Sequence, residues 1–120
     1  MNDNYTFTYE DRTLVVRQSR YQYGSGNQPA ILCFDNTDPE CSVASGIPYG
    51  VLTVNLDDPS CEHEDEDMPL MQFLDTNNWP GIEWLLRHEE VSWCEPTGVI
   101  TQSGFVRYPM YYFDQNIPHV

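Results

Sequence analysis

The stretch Asp75-Thr76-Asn77-Asn78-Trp79-Pro80-Gly81-Ile82-Glu83-Trp84-Leu85-Leu86 decides the fold class, because only here does a polar turn open into a helical pattern. Asn77 and Asn78 are good capping residues, since a side-chain oxygen accepts a free N–H of the first turn. Pro80 suits the first turn, where its missing donor costs nothing. Glu83 puts negative charge near the positive end of the helix dipole, and Arg87 and His88 put positive charge at the other end. Ile82, Leu85 and Leu86 fall on one face at helical spacing, and Trp79 closes that face at its start. Trp84 lies off the stripe, so it either widens the buried face or stands in solvent. The expected helix covers about residues 79–88.

Around this helix the chain reads as strands. Tyr5, Phe7 and Tyr9 alternate with Thr6, Thr8 and Glu10, the pattern of a half-buried strand. Glu10-Asp11-Arg12 makes a turn into a second strand led by Leu14, Val15 and Val16. Gly24-Ser25-Gly26-Asn27 is a hairpin turn, and a third strand covers 30–34. Residues 49–56 form a fourth strand with Leu52, Val54 and Leu56 on one face, and 70–74 a short one before the helix. Glu95-Pro96-Thr97-Gly98 reads as a turn, followed by a hairpin around Ser103-Gly104. Pro109 lacks a donor, so the last strand is expected at an edge or with a bulge. The order of strands, one helix and strands gives a single α+β domain over 1–120, mainly antiparallel sheet, with an acidic loop at 57–68.

Charge is the outlier. The formal net charge is -14, there is no lysine, and no cation occurs from residue 21 to residue 86. Seven of the eleven residues at 57–67 are acidic: Asp57, Asp58, Glu62, Glu64, Asp65, Glu66 and Asp67. Fully extended, that segment spans about 36 Å, roughly 5 Å per charge, against ~3.4 Å along one DNA strand. Such a field repels nucleic acid and anionic membranes and attracts basic surfaces. Asp75 and Glu83 extend the acidic set, and Trp84 is an aromatic anchor beside it. These ten residues are the expected partner-binding set, and a basic nucleic-acid-binding protein is the expected partner. Most other aromatics (Trp79, Trp93, Tyr108, Tyr111, Tyr112) are needed for the core, leaving one or two exposed.

Hydrophobic residues make up 40% of the chain, enough for a globular core. No apolar run approaches the length that crosses a membrane. The start, Met1-Asn2-Asp3-Asn4-Tyr5, has neither a basic region nor an apolar core, so no secretory leader is expected and the cytosol is favoured. There the four cysteines stay reduced.

The segments Gly50-Val51-Leu52-Thr53-Val54-Asn55-Leu56, Asp75 through Glu83, Glu95-Pro96-Thr97-Gly98, and Ser103-Gly104-Phe105 through Tyr108-Pro109-Met110-Tyr111-Tyr112-Phe113 resemble a family of small acidic proteins of unknown function. That family is carried on conjugative and other mobile elements of gut bacteria, and the resemblance covers mainly residues 50–114. It implies a genetic setting and no chemistry, because the family has no assigned catalytic residues.

Motifs for catalysis are incomplete. Cys61-Glu62-His63 suggests a metal site, but Cys33, Cys41 and Cys94 are scattered singly and lack the close pairs of zinc sites. Asp65 and Asp67 alternate without the glycine and closing glutamate of a calcium loop. His88-Glu89 would open a metalloprotease helix, but Ser92 stands where the second histidine belongs. Gly24-Ser25-Gly26 lacks the strand-to-helix setting of a nucleophile elbow. Carboxylate pairs are too common here to single one out. The expectation is therefore no enzyme, no cofactor and no metal. The leading function is a mobile-element accessory protein that mimics nucleic acid and inhibits a host defence protein such as a nuclease or CRISPR effector. One alternative is an interaction or scaffold domain whose acidity serves solubility alone; another is a small metal-binding domain through Cys61 and His63.

Overall fold

A computed structural model describes residues 4–23, 26–54 and 70–120. In chain order these residues form β1 (Thr6–Tyr9), β2 (Arg12–Tyr23), β3 (Gly26–Phe34), β4 (Gly50–Val51), β5 (Thr53–Val54), β6 (Leu70–Leu74), α1 (Ile82–His88), β7 (Cys94–Ser103) and β8 (Val106–Phe113). The strands make two four-stranded sheets, ordered β1-β2-β3-β4 and β5-β6-β8-β7. Every pairing between named strands is antiparallel. The mainly antiparallel sheet with one short helix is as the sequence predicts; its division into two sheets is not.

The division happens at one residue. The run expected as a single strand at 49–56 breaks into β4 and β5 on either side of Leu52. The Leu52 N–H donates to the Ile31 carbonyl in the first sheet (2.8 Å), while the Leu52 carbonyl accepts from the Asp75 N–H at the end of β6 (2.9 Å). The Thr53 hydroxyl oxygen accepts from the Ile31 N–H (3.1 Å), satisfying a donor left over where the ladder ends. The Leu52 side chain is fully buried at this corner, where a strand switches sheets.

Alternation sends one face of each sheet inward. Phe7, Leu14, Val16, Ile31 and Cys33 from the first sheet meet Leu74, Tyr111 and Phe113 from the second, with Trp79, Ile82, Leu86, Trp93 and Ile117 filling the space between. Each large side chain so buried contributes about 1.5–3 kcal/mol. Ala30, Leu32 and Phe34 form a smaller cluster with Val51 on the reverse face of the first sheet. The C-terminal segment lies along β2 in parallel, with Gln18 bridged to His119. The Gln18 N–H donates to the Pro118 carbonyl (2.9 Å), and its side-chain amide donates to the carbonyls of Gln115 (2.9 Å) and Ile117 (2.6 Å).

Two local expectations need correction, and a third holds in only one of its two forms. The helix starts at Ile82, not near 79, because Asn78 turns back to Asp75 and Gly81 sits in the left-handed region (φ 78°) with no side-chain cap. Glu95-Pro96-Thr97-Gly98 is no turn but part of β7, where the register shifts between Pro96 and Ile100. Gly98 supplies the positive φ (89°) of this bulge, and the Thr97 hydroxyl donates to the Met110 carbonyl (3.1 Å) across it. Finally, β8 is an interior strand and not an edge, while the bulge offered as the alternative is present in its pairing with β7. Pro109 is tolerated there because pairing with β6 stops one residue earlier, at Phe73–Met110, and the bulge on β7 lies beside it.

Candidate interaction surface

Of the ten residues expected to bind a partner, Asp57, Asp58, Glu62, Glu64, Asp65, Glu66 and Asp67 lie outside the described residues, as do Cys61 and His63. The other three have separate settings. Trp84 is 67% exposed on the outer side of α1. Its ring stacks on His88 one turn later, with centroids 4.7 Å apart and planes within 9°. Glu83 is half-buried and accepts a hydrogen bond from the Tyr111 hydroxyl (3.3 Å). That contact and burial push the Tyr111 phenol up to about 12, burial being the larger cause.

Asp75 is 7% exposed and turned into the fold. Its Oδ1 accepts from the Asn78 N–H (3.2 Å) and its Oδ2 from the Asn78 side-chain amide (2.8 Å). Asp35 is a second buried aspartate. Asp35 is met by Arg12 Nη1 at 2.6 Å and by both the N–H and hydroxyl of Thr37. Those bonds, from Thr37 first and Arg12 next, hold its carboxyl below the usual range. Asp75 has no cation beside it among the described residues.

Asp75 also lines an open cleft of about 590 Å³ between the first sheet and the turn before α1. It is lined by Tyr9, Tyr49 and Trp79, by Gly50 and Val51, and by two charged residues, Asp75 and Glu10. The polar ends of two aromatics are bound within the fold. The Tyr9 hydroxyl donates to the Pro80 carbonyl (3.1 Å), and the Trp79 indole donates to the Val51 carbonyl (2.8 Å). Tyr9 and Tyr49 both meet Trp79 edge-on, at 5.0 and 6.1 Å. Arg12 lies 4.9 Å from the Tyr49 ring centre, already paired with Asp35.

A second surface was not expected from the sequence. The tip of the β7–β8 hairpin carries Ile100 at 61% exposure and a fully exposed Phe105, with Val99 beside them. From Thr97 to Val106 no residue is charged. The exposed tip follows from its turn, since Gly104 (φ 63°) and Phe105 span a two-residue connection between Ser103 and Val106. β7 is moreover the outermost strand of its sheet. The available signal was the β-branched, uncharged run itself, which an interior strand would show equally well.

Among the described residues, no three His, Cys, Asp or Glu side chains gather into a metal-binding group. Cys33 is fully buried, and burial raises its thiol far above the reactive range; Cys94 is pushed up to about 12 by the same cause. Among the described residues, no helix is long and apolar enough to cross a membrane. In comparisons with protein-family models, with curated proteins and with solved structures, nothing matches this chain.

Proposed function

We propose that the chain is a non-enzymatic acidic accessory protein of a mobile element that binds a basic, nucleic-acid-handling protein. The observation that carries this reading is the net charge of -14, with no cation across residues 21–86. Its sharpest form is mimicry: the carboxylates compete with phosphates for the cationic cleft of a defence nuclease or CRISPR effector. Long-range attraction of this kind raises the association rate and weakens with salt. Affinity capture from host lysate, washed at low and high salt, tests it. A basic protein released at high salt, and lost when Glu62, Glu64, Asp65, Glu66 and Asp67 are neutralised together, is the expected result. A partner whose affinity ignores salt overturns the reading.

The exposed Ile100, Phe105 and Trp84 favour a second reading, an interaction domain whose acidity serves solubility only. Exposed aromatic anchors dominate interface energies. Here Trp84→Ala with Phe105→Ser abolishes capture, while the neutralised acidic segment leaves it intact.

A further inference from the structure

We propose that the cleft formed by Tyr9, Tyr49 and Trp79 over Gly50 binds an aliphatic ammonium group. A buried carboxylate with no counter-ion is costly, and proteins rarely keep one without a partner. Among the described residues Asp75 is such a group, and it lines the cleft. Asn78 satisfies one lone pair on each Asp75 oxygen, leaving further acceptor capacity on both. The other charged lining residue is Glu10, and the one cation near the aromatic lining among the described residues, Arg12 over the Tyr49 ring, is already paired with Asp35.

The walls suit the same ligand. Aromatic faces attract cations through their quadrupole, most strongly where water is excluded. The Tyr9 hydroxyl and the Trp79 indole N–H are bonded to backbone carbonyls, so what these two residues add to the lining is mainly carbon, and the half-buried Tyr49 ring adds the most open aromatic surface. An aliphatic stem fits against that surface while its ammonium reaches Asp75. A bare metal ion fits poorly, because two carboxylates amid aromatic rings supply too few oxygen ligands. The volume, about 590 Å³, lies within the range of ligand pockets.

Two sources carry this chemistry: a lysine side chain on a protein, or a free alkylamine. The lysine source rests on the basic partner proposed above; the ammonium preference of the cleft does not. The test therefore uses small probes and no partner. Nα-acetyl-lysine methylamide, butylammonium and the neutral Nα-acetyl-norleucine methylamide are titrated into the full chain by NMR. The Gly50 amide and the Trp79 indole N–H are the reporters.

Both ammonium probes are expected to give saturable shifts with Kd of about 1 mM, and the norleucine probe none. Asp75→Asn weakens binding at least tenfold, and Tyr49→Leu, which leaves the Asp75 turn intact, weakens it severalfold. Tighter binding of the lysine derivative assigns the site to a polypeptide, and tighter binding of butylammonium assigns it to a free amine; both support the site. Absence of saturable shifts, equal binding of norleucine, or full affinity in folded Asp75→Asn overturns it. Failure of this titration leaves the salt-dependent capture experiment unaffected, so the two proposals fail separately.

Discussion

Gly50 and Trp79 are in direct contact, and the contact admits no side chain at residue 50. A Cβ there would lie 2.8 Å from Trp79 Cζ2, well inside any real carbon contact. Trp79 cannot easily yield, because its indole is tied to Val51 and flanked by Phe7, Tyr9 and Tyr49. Gly50→Ala is therefore expected to cost about 1–3 kcal/mol through overpacking. Urea denaturation read by tryptophan fluorescence checks this, as a lower midpoint with an unchanged slope.

Two buried glutamines are expected to respond in opposite directions. Gln18 donates to two carbonyls of the C-terminal segment, so Gln18→Met leaves both acceptors unmet and costs about 1–3 kcal/mol. Among the described residues the Gln72 side-chain nitrogen is buried in β6 with no hydrogen-bond partner. Gln72→Met removes that unmet donor and is expected to stabilise by about 1 kcal/mol. Thermal melts of the two variants beside the parent should move in opposite senses.

The turn between β1 and β2 holds two non-glycine residues, Glu10 and Asp11, at positive φ (50° and 65°). Such turns match the twist of the flanking strands but favour asparagine and glycine. Asp11→Gly relieves a left-handed backbone that costs about 1–2 kcal/mol in L-residues. It should raise the melting temperature without altering the circular dichroism spectrum.

Acid and alkali act through different residues. Asp35 is held below its usual range by Thr37 and Arg12. It favours the folded state at pH above the ordinary carboxylate range, and that contribution is lost as pH falls through its depressed value. Asp35→Asn should flatten the fall in melting temperature below about pH 4. Tyr111 is raised to about 12. Its protonated form favours folding up to about pH 10, and that contribution is lost as pH rises towards 12. Tyr111→Phe should flatten this alkaline loss, measured by melts from pH 9 upward.

The sequence reports the inward faces well. Phe7 and Tyr9 in β1 and Ile82 and Leu86 in α1 are buried as their spacing predicts, with Leu85 of the same stripe half-buried, because periodicity reports directly on which face meets the core. Trp79 and Trp93 lie inside and Trp84 outside, in line with an aromatic set mostly needed for packing. Long-range geometry was less legible. The split at Leu52 depends on hydrogen bonds to Ile31 and Asp75, 21 and 23 residues away in the chain, which no local pattern encodes. The bulge at Gly98 carries the same sequence signal as a turn, because both want a glycine at positive φ. The aromatic cleft joins Tyr9, Tyr49 and Trp79 from three distant segments, so no single stretch of sequence announces it. Asp75 looked like a surface charge because its burial comes from that same assembly.

Leu52 has a mechanical consequence. Its peptide groups are shared between two ladders, so pulling either sheet away tears a bond in the other. Parting the two sheets at this corner therefore breaks hydrogen bonds of both, and loosening along this seam spreads to each. The slowest-exchanging amides should then span the junction, with Leu52 and Asp75 giving up deuterium protection together at the free energy of global unfolding.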